Sequence, residues 1–386
     1  MEERSMKKRI VLVALLSLLI CGFAFANGSS ETQKPVKIAV VGPLTGDFAE
    51  YGMGFKNAAV LRAKQINEAG GVLGGRQIEI VDFDDKNSGE EAASIAERIA
   101  GNKDIVGVVG HFASGVSMAA APTYEEVGVP EISPSASHPD YSGMGKYIFR
   151  NNSLIDVEAN ETLNIASKVF KAKRVAVLAV KTDWGVTTAD ILINTLAKDH
   201  PELEIVGYEE ILDGLTDFSS TITKLRSYKP DTIIVCAMYN ILGPFANQYK
   251  DIDSKINLIG FSNAYSEQLI KLAQEDGNGI ALPAIFFHES PEAKVRSFVD
   301  NYKKDYNGKI PSSLTAQAYD SLGMFAQAIE EAGSADRKAI KEQLYKIEYD
   351  GVAGVTYFDE IGDAYKTFNW LMIEDGKFTL IDKSKL

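Results

Sequence analysis

Histidine, cysteine and tryptophan are all scarce in this chain: four, two and two among 386 residues. A zinc site built from three or four imidazole and thiolate ligands would consume most of that supply. His111, His138, His200 and His288 stand in unrelated contexts, and neither His-Glu-x-x-His nor Gly-x-Ser-x-Gly occurs. His111 lies near Ser114 but reads as a structural hydrogen-bonding residue and not as a base. Positive charge is also in deficit. Forty Lys+Arg face 53 Asp+Glu, a net charge of −13, which is the wrong sign for a nucleic-acid partner. Gly70-Gly71 and Gly74-Gly75 precede a strand-like run instead of joining a strand to a helix, so they are turn glycines and not a dinucleotide fingerprint. The chain reads as a non-enzyme with neither metal nor cofactor.

At the N-terminus, Lys7-Lys8-Arg9 precedes an uncharged apolar run over residues 10–26 that ends in Ala24-Phe25-Ala26, the small-x-small pattern of signal-peptidase cleavage. That run falls short of the about 20 residues a membrane-spanning helix needs. Residues 1–26 therefore read as a signal peptide, with Met6 a possible start, Asn27 the mature N-terminus and the periplasm the destination. Leu18-Leu19-Ile20-Cys21 offers a rival, lipidation at Cys21, although Ile20 is bulky where a lipoprotein cleavage site takes a small residue. Loss of residues 1–26 removes four basic and two acidic residues, leaving 36 against 51 and a net charge of −15. It also leaves Cys236 alone in the apolar run 232–237, where it reads as a buried core thiol with no disulfide partner. Roughly 360 remaining residues exceed one hydrophobic core, so two lobes are expected.

Short β-rich runs alternate with longer amphipathic ones. Strands are expected over 36–41, 77–83, 105–109 and 129–132, with helices over 55–69, 89–101 and 117–126 between them. The pattern restarts with strands over 174–180, 204–208, 232–237 and 257–261 and helices over 187–196, 218–227 and 243–249. Alternation of this kind means α/β architecture, here two successive doubly wound parallel-sheet units. Each unit has an aromatic-glycine pair after its first strand, Tyr51-Gly52 and Trp184-Gly185, which supports an internal duplication or else marks two core-covering aromatics. Beyond Pro283, helices over 291–306, 313–332 and 338–346 and strands over 355–358 and 367–373 can belong to either unit.

Two strands empty into loops of hydroxyl-bearing and small residues, 105–110 into 111–117 and 129–132 into 133–137. Ligands of open α/β sheets sit beyond the carboxyl ends of the strands, so these loops are a candidate pocket for something small. The simpler alternative is that Ser133 to Ser137 forms a turn and caps a helix.

The order of short motifs resembles that of type I periplasmic solute-binding proteins of ABC transporters, in the branch that binds leucine, isoleucine and valine. Its markers run from Ile38-Ala39-Val40-Val41-Gly42-Pro43-Leu44-Thr45-Gly46 and Tyr51-Gly52 through Asp84-Asp85, Gly110-His111, Ile132-Ser133-Pro134, Phe149-Arg150 and Asp217-Phe218 to Ala318-Tyr319-Asp320 and Phe358-Asp359. The resemblance implies two lobes joined by three crossovers near residues 154, 285 and 358. The lobes would be 35–154 plus 286–357, and 155–285 plus 358–386. It also implies a small-molecule ligand held in the cleft by hinge closure, a membrane permease as partner, and a monomer.

Matched position by position, the resemblance assigns Ser114 and Ser137 to the ligand's α-carboxylate and α-ammonium, with backbone contacts at Ser135 and Ala136. Tyr51 and Trp184 fall at pocket aromatics, as does Tyr239, or Met238 if its strand ends one residue earlier. Where branched-chain binders place a glutamate against the ammonium, this chain has Ser262 within Gly260-Phe261-Ser262-Asn263. Asp183 is a candidate substitute. The departure leaves an amide, urea-like or carboxylate ligand open beside an amino acid, and sensing open beside transport.

Overall fold

The computed structural model describes residues 34–253 and 255–386. The expected signal peptide, the cleavage site after Ala26 and the candidate lipidation site Cys21 lie outside the described residues.

Valine- and isoleucine-rich runs form strands that are buried on both faces. In chain order the first unit is β1 (Val36–Gly42), α1 (Ala49–Glu68), β2 (Ile78–Asp84), α2 (Gly89–Ala100), β3 (Ile105–Val109), α3 (Ser114–Val127), β4 (Glu131–Ser133) and β5 (Ile148–Arg150). Its five strands are parallel in the order β2-β1-β3-β4-β5. Alternate residues of β1 enter different cores, Ile38 and Val40 on one face, Ala39 and Val41 on the other. That two-sided burial is why β1 and β3 read as continuous apolar runs instead of alternating ones.

The second unit follows as α4 (Ile155–Asn164), β6 (Arg174–Val180), α5 (Asp183–Asp199), β7 (Glu204–Ile211), α6 (Ser219–Ser227), β8 (Thr232–Cys236), α7 (Tyr239–Lys250), β9 (Asn257–Ile259), α8 (Glu267–Ala273) and β10 (Ala281–Ala284). Then come α9 (Ala293–Asp305), α10 (Ser313–Ala332), α11 (Arg337–Leu344), the hairpin β11 (Tyr349–Gly351) and β12 (Gly354–Thr356), and finally β13 (Asn369–Glu374) and β14 (Lys377–Leu380). The second sheet runs β14-β13-β10-β9-β8-β6-β7. Its parallel part, β7-β6-β8-β9-β10, repeats the strand order of the first sheet, and β13 and β14 extend it antiparallel. The late helices pack with the first sheet: α10 lies along α1 and against β3 and β4, and α11 packs on α10. The chain crosses between the sheets three times, between β5 and α4, between β10 and α9, and between β12 and β13.

The aromatic-glycine pairs now have a physical reason. Gly52 lies in the first turn of α1 with its α-carbon against the Pro43 backbone, and Gly185 lies in the first turn of α5 against the Val180 carbonyl. A Cβ at either position would overlap that backbone. The helix therefore sits directly on the end of the strand it follows, and the aromatic one residue earlier is aimed at the space between the sheets.

Four helices begin earlier than their apolar periodicity suggests: at Ala49 and not 55, Ser114 and not 117, Asp183 and not 187, Tyr239 and not 243. The misses share a cause. These first turns present small, polar and aromatic side chains to the gap between the sheets, so they carry no core-facing 3.6-residue pattern. The strands β5, β10, β11 and β14 and the helices α4 and α8 went unmarked in the sequence because they are short, or because α4 begins at a crossing with two acidic residues in its first turn.

Gly52→Ala and Gly185→Ala should each cost about 1–3 kcal/mol or more, since the backbone itself must move. Gly143→Ala, at a position with open space around it, should stay within about 0.5 kcal/mol of the parent. Urea denaturation of the three variants checks this.

Candidate functional site

In each sheet the strand order reverses at one point, between β1 and β3 and again between β6 and β8. The two reversals face each other, which is where a doubly wound sheet leaves a crevice. A small cavity lies there. From the first unit it is lined by Phe112, Ala113, Ser114, Ser135, Ser137 and Asn152, with Leu314 from α10. Glu158, Trp184, Met238, Ser262 and Asn263 close it from the other side. About 30 Å³ is open to the centre of a water molecule, where one water takes about 10–15 Å³. A larger recess of about 410 Å³ adjoins it at Ser114, Trp184 and Met238 and is lined further out by Asp183 and Asp213.

Helix N-termini point at this cavity. Ala113 precedes α3 and Met238 precedes α7, and neither caps its helix with a side chain. Uncapped first-turn amides carry the positive end of the helix dipole and await an acceptor. On α3 they are joined by the Ser114 hydroxyl, which accepts a hydrogen bond from the Ser137 amide at 3.3 Å. The Ser137 hydroxyl in turn accepts from the Trp184 indole at 3.0 Å.

The second unit adds a carboxyl group to the lining. Glu158, in the first turn of α4, is 3 % exposed, and its Oε1 accepts from the Ser262 amide at 2.5 Å. Burial pushes its pKa up to about 7, against smaller lowering contributions from the Ser262 amide and hydroxyl.

The loops bearing the serines are fixed from behind. Gln317, buried on α10, donates through Nε2 to the Pro134 carbonyl at 2.8 Å, the Asn151 carbonyl at 2.6 Å and Asn152 Oδ1 at 3.0 Å. Asn152 donates to the Ser135 carbonyl at 2.7 Å. His111 is wholly buried and away from the cavity. Its Nδ1 meets Asp85 at 2.7 Å, Nε2 meets the Tyr124 hydroxyl at 3.1 Å, and its carbonyl accepts from the Ser133 and Ser135 hydroxyls. At the crossings, buried Arg150 of β5 donates to Asp363 at 2.5 Å and so ties the first crossing to the third.

The crevice is shut in this structure. Besides Trp184 to Ser137, Tyr51 donates to the Asn263 carbonyl at 2.8 Å, Thr187 meets His138 at 3.3 Å, the Ile310 amide donates to Glu267 at 3.2 Å, and the Ser266 hydroxyl bonds Glu50.

Of the residues singled out in the sequence, Ser114, Ser135, Ser137, Trp184 and Ser262 line the cavity. The Ser135 hydroxyl donates to the Phe112 carbonyl at 2.6 Å, so that side chain is committed to holding the loop. Three of the positions lie outside the cavity lining. Ala136 does not line the cavity: its amide donates to Ser133 Oγ at 3.0 Å and its methyl is in the core. Tyr51 lies one layer out, its ring stacked on Phe112 at 4.2 Å. Strand β8 ends at Cys236, so Met238 lines the cavity and Tyr239 packs behind it, 5.2 Å from Tyr51. Asp183 lies in the outer recess, its Oδ2 over Gly115 of α3. Sequence reading missed Glu158, Asn152, Phe112, Asn263 and Leu314. Only an acidic residue in the first turn of a helix opening at a crossing hinted at Glu158.

Two α/β units closed over a small polar cavity have the architecture of a two-lobed solute-binding protein. Residues 35–377 match the family model described as periplasmic binding protein, and the chain belongs to that family. It is 28% identical over 362 residues, 93% of this chain and 94% of the relative, to a leucine-, isoleucine-, valine-, threonine- and alanine-binding protein of Pseudomonas aeruginosa. It is similar to the structure of the branched-chain amino acid transporter substrate binding protein LivJ from Streptococcus pneumoniae in complex with isoleucine. The TM-score is 0.83 at 29% identity, over 90% of this chain and 99% of that one. A solute binding protein of R. palustris in complex with benzoate shares the fold equally well, with TM-score 0.82 and 19% identity, covering 90% of this chain and 95% of that one. The fold is thus the type I periplasmic binding protein fold, and the fold alone does not choose the ligand.

The buried Glu158 carboxyl carries a stability consequence. Its pKa rises from 4.5 to about 7 in the folded chain, so the folded state holds a proton that the unfolded state releases. Its contribution opposes folding increasingly from about pH 4.5 to 7, by up to about 3 kcal/mol above that range. Glu158→Gln should therefore gain stability over the parent at about pH 8 and match it near pH 4.5, as read by urea melts without added solute.

Proposed function

We propose that this protein is the extracytoplasmic capture subunit of an ABC importer and that its ligand is a small amino acid of the branched-chain type. One observation carries the choice of ligand: donors from one unit and an acceptor from the other line the same cavity. The start of α3 with Ser114 and Ser137 shares that lining with Glu158, together with the apolar Phe112, Met238 and Leu314. A zwitterion satisfies both sides at once, with its carboxylate on the helix N-terminus and its ammonium toward the acid. A simple carboxylate would bring the buried acid no cation to pair with, and a neutral amide would leave the helix end without an anion.

Support for the binding role itself comes from the serines. Ser114 Oγ is hydrogen-bonded to a backbone amide and Ser137 Oγ to an indole, with no histidine on either, so neither is set up as a nucleophile. The cavity is sealed by bonds between the two units, so entry and exit need hinge opening about the three crossings. The lobes 35–154 plus 286–357 and 155–285 plus 358–386 would move as bodies. In the periplasm, with the ligand delivered to a membrane permease, that motion is the working cycle. A leucine-sized ligand has about nine heavy atoms. Micromolar affinity, about −8 kcal/mol, then asks about 0.9 kcal/mol of each, which is attainable only with near-complete enclosure.

Calorimetry with L-leucine, L-isoleucine, L-valine, L-alanine and L-threonine, and with benzoate, urea and acetamide, tests the assignment. Micromolar binding of at least one aliphatic amino acid is expected, and binding of benzoate or an amide with no amino acid bound would overturn it. Ser114→Ala and Ser137→Ala should each weaken amino-acid binding by about 1–3 kcal/mol, because a ligand charge loses a partner, with little change in melting. Normal binding with early melting would make those loops structural. Trp184 seals the cavity, whereas Trp370 lies on β13 with its indole on Glu161 at 2.5 Å. Ligand-induced fluorescence change should vanish in Trp184→Phe and persist in Trp370→Phe.

A further inference from the structure

Resting on the amino-acid reading above, we propose that Glu158 is the seat of the ligand's ammonium group and that it releases a proton to solvent as the ammonium arrives.

Glu158 is buried with no cation beside it. Its Oε1 is held by the Ser262 amide at 2.5 Å, the Ser262 hydroxyl is the other group that acts on the carboxyl, and the side chain lines the cavity. The elements around it supply no positive charge. From β8 comes the Cys236 thiol, itself pushed up by burial and by Glu158. The turn Ser262–Ala264 contributes only hydroxyl and amide groups, and β10, Ala281–Ala284, carries no ionisable side chain. The ionisable groups of α5 are Asp183, Asp190, Lys198 and Asp199, none of which acts on Glu158. Asp156 and Glu161 of its own helix add only negative charge. The side-chain donors that the second lobe brings to the cavity, the Trp184 indole, the Ser262 hydroxyl and the Asn263 amide, are all uncharged.

A carboxylate in that setting is costly, and the group keeps a proton near neutral pH, with a pKa of about 7. A primary ammonium supplies the missing cation. The balance is simple: the carboxylic acid loses its proton to buffer, the ligand keeps all three of its ammonium protons, and an ion pair forms with no covalent change. Capture at low pH therefore has to expel a proton first, and affinity rises with pH across the titration.

The test is calorimetry of the whole protein with L-leucine in phosphate, MES and Bis-Tris at about pH 6, then in phosphate, HEPES and Tris at about pH 8. The dependence of the heat on buffer ionisation should show about 0.9 proton released at the lower pH and about 0.1 at the higher, with affinity about tenfold greater at the higher. In Glu158→Gln the proton release should vanish, and leucine affinity should fall between about thirtyfold and several thousandfold. That variant should also bind 4-methylpentanoate, the analogue without the amino group, better than the parent does. Leucine binding without proton release, or with unchanged affinity in Glu158→Gln, overturns this proposal and leaves the amino-acid reading standing. Failure of the parent to bind any aliphatic amino acid overturns both. The parent's proton count decides the matter even if the variant does not fold.

Discussion

A single buried amide, Gln317, holds the binding face of this protein in place. Its Nε2 reaches three acceptors on two segments, the Ser133–Ser137 loop and the first crossing at Asn151 and Asn152. Buried polar groups must be satisfied, so the loop cannot shift without leaving several donors and acceptors stranded, and each of those is worth about 1–3 kcal/mol. The same helix contributes Leu314 to the cavity wall. Rigidity at the back of the site is what lets hydroxyls and amides at the front be placed for a small ligand, which offers few atoms over which to spread its affinity.

The charge logic of the cavity follows from burial. Helix ends supply the positive potential on one side without any basic residue. The negative side is a glutamate whose ionisation is held back by desolvation. The resemblance places a glutamate for the ammonium at the position of Ser262, and here Ser262 instead gives its amide to Glu158 of a different helix. An acidic group can thus reach the same cavity from either element, because α4 and the Ser262 turn meet at its wall. Asp183, nearer in sequence to the aromatic Trp184, lies in the wider outer recess. A carboxylate there is better solvated and has less to gain from a partner.

The two units share strand order and the helix-on-strand contact at Gly52 and Gly185, yet they use their first aromatics differently. Trp184 reaches across the gap to Ser137, while Tyr51 stacks behind Phe112 and donates to the Asn263 carbonyl. Both bonds exist only when the units are together. The repeat therefore provides closure from each side while leaving one wall open to specialise as the ligand contact.

The strands 105–109 and 174–180, the long helix 313–332, the doubled α/β pattern and the two serine-rich loops were all legible in the residues, because each depends on local periodicity or turn chemistry. So were Ser114 and Trp184 as candidates. The early starts of four helices were not legible, since their first turns face the cleft and lose the apolar repeat. Whether Met238 or Tyr239 faces the cavity turned on where β8 stops, a single-residue matter that composition does not settle. Ala136 gave its amide to Ser133, a choice made by loop geometry. Above all, Glu158 is separated from Ser262 by about a hundred residues, and only its place in the first turn of a helix opening at a crossing hints at it along the chain. The sequence by itself determined the architecture and the kind of loops that end at the crevice. Only the tertiary structure decided which charges meet across it, because burial and opposition in space, not order along the chain, set the energy of a buried carboxyl.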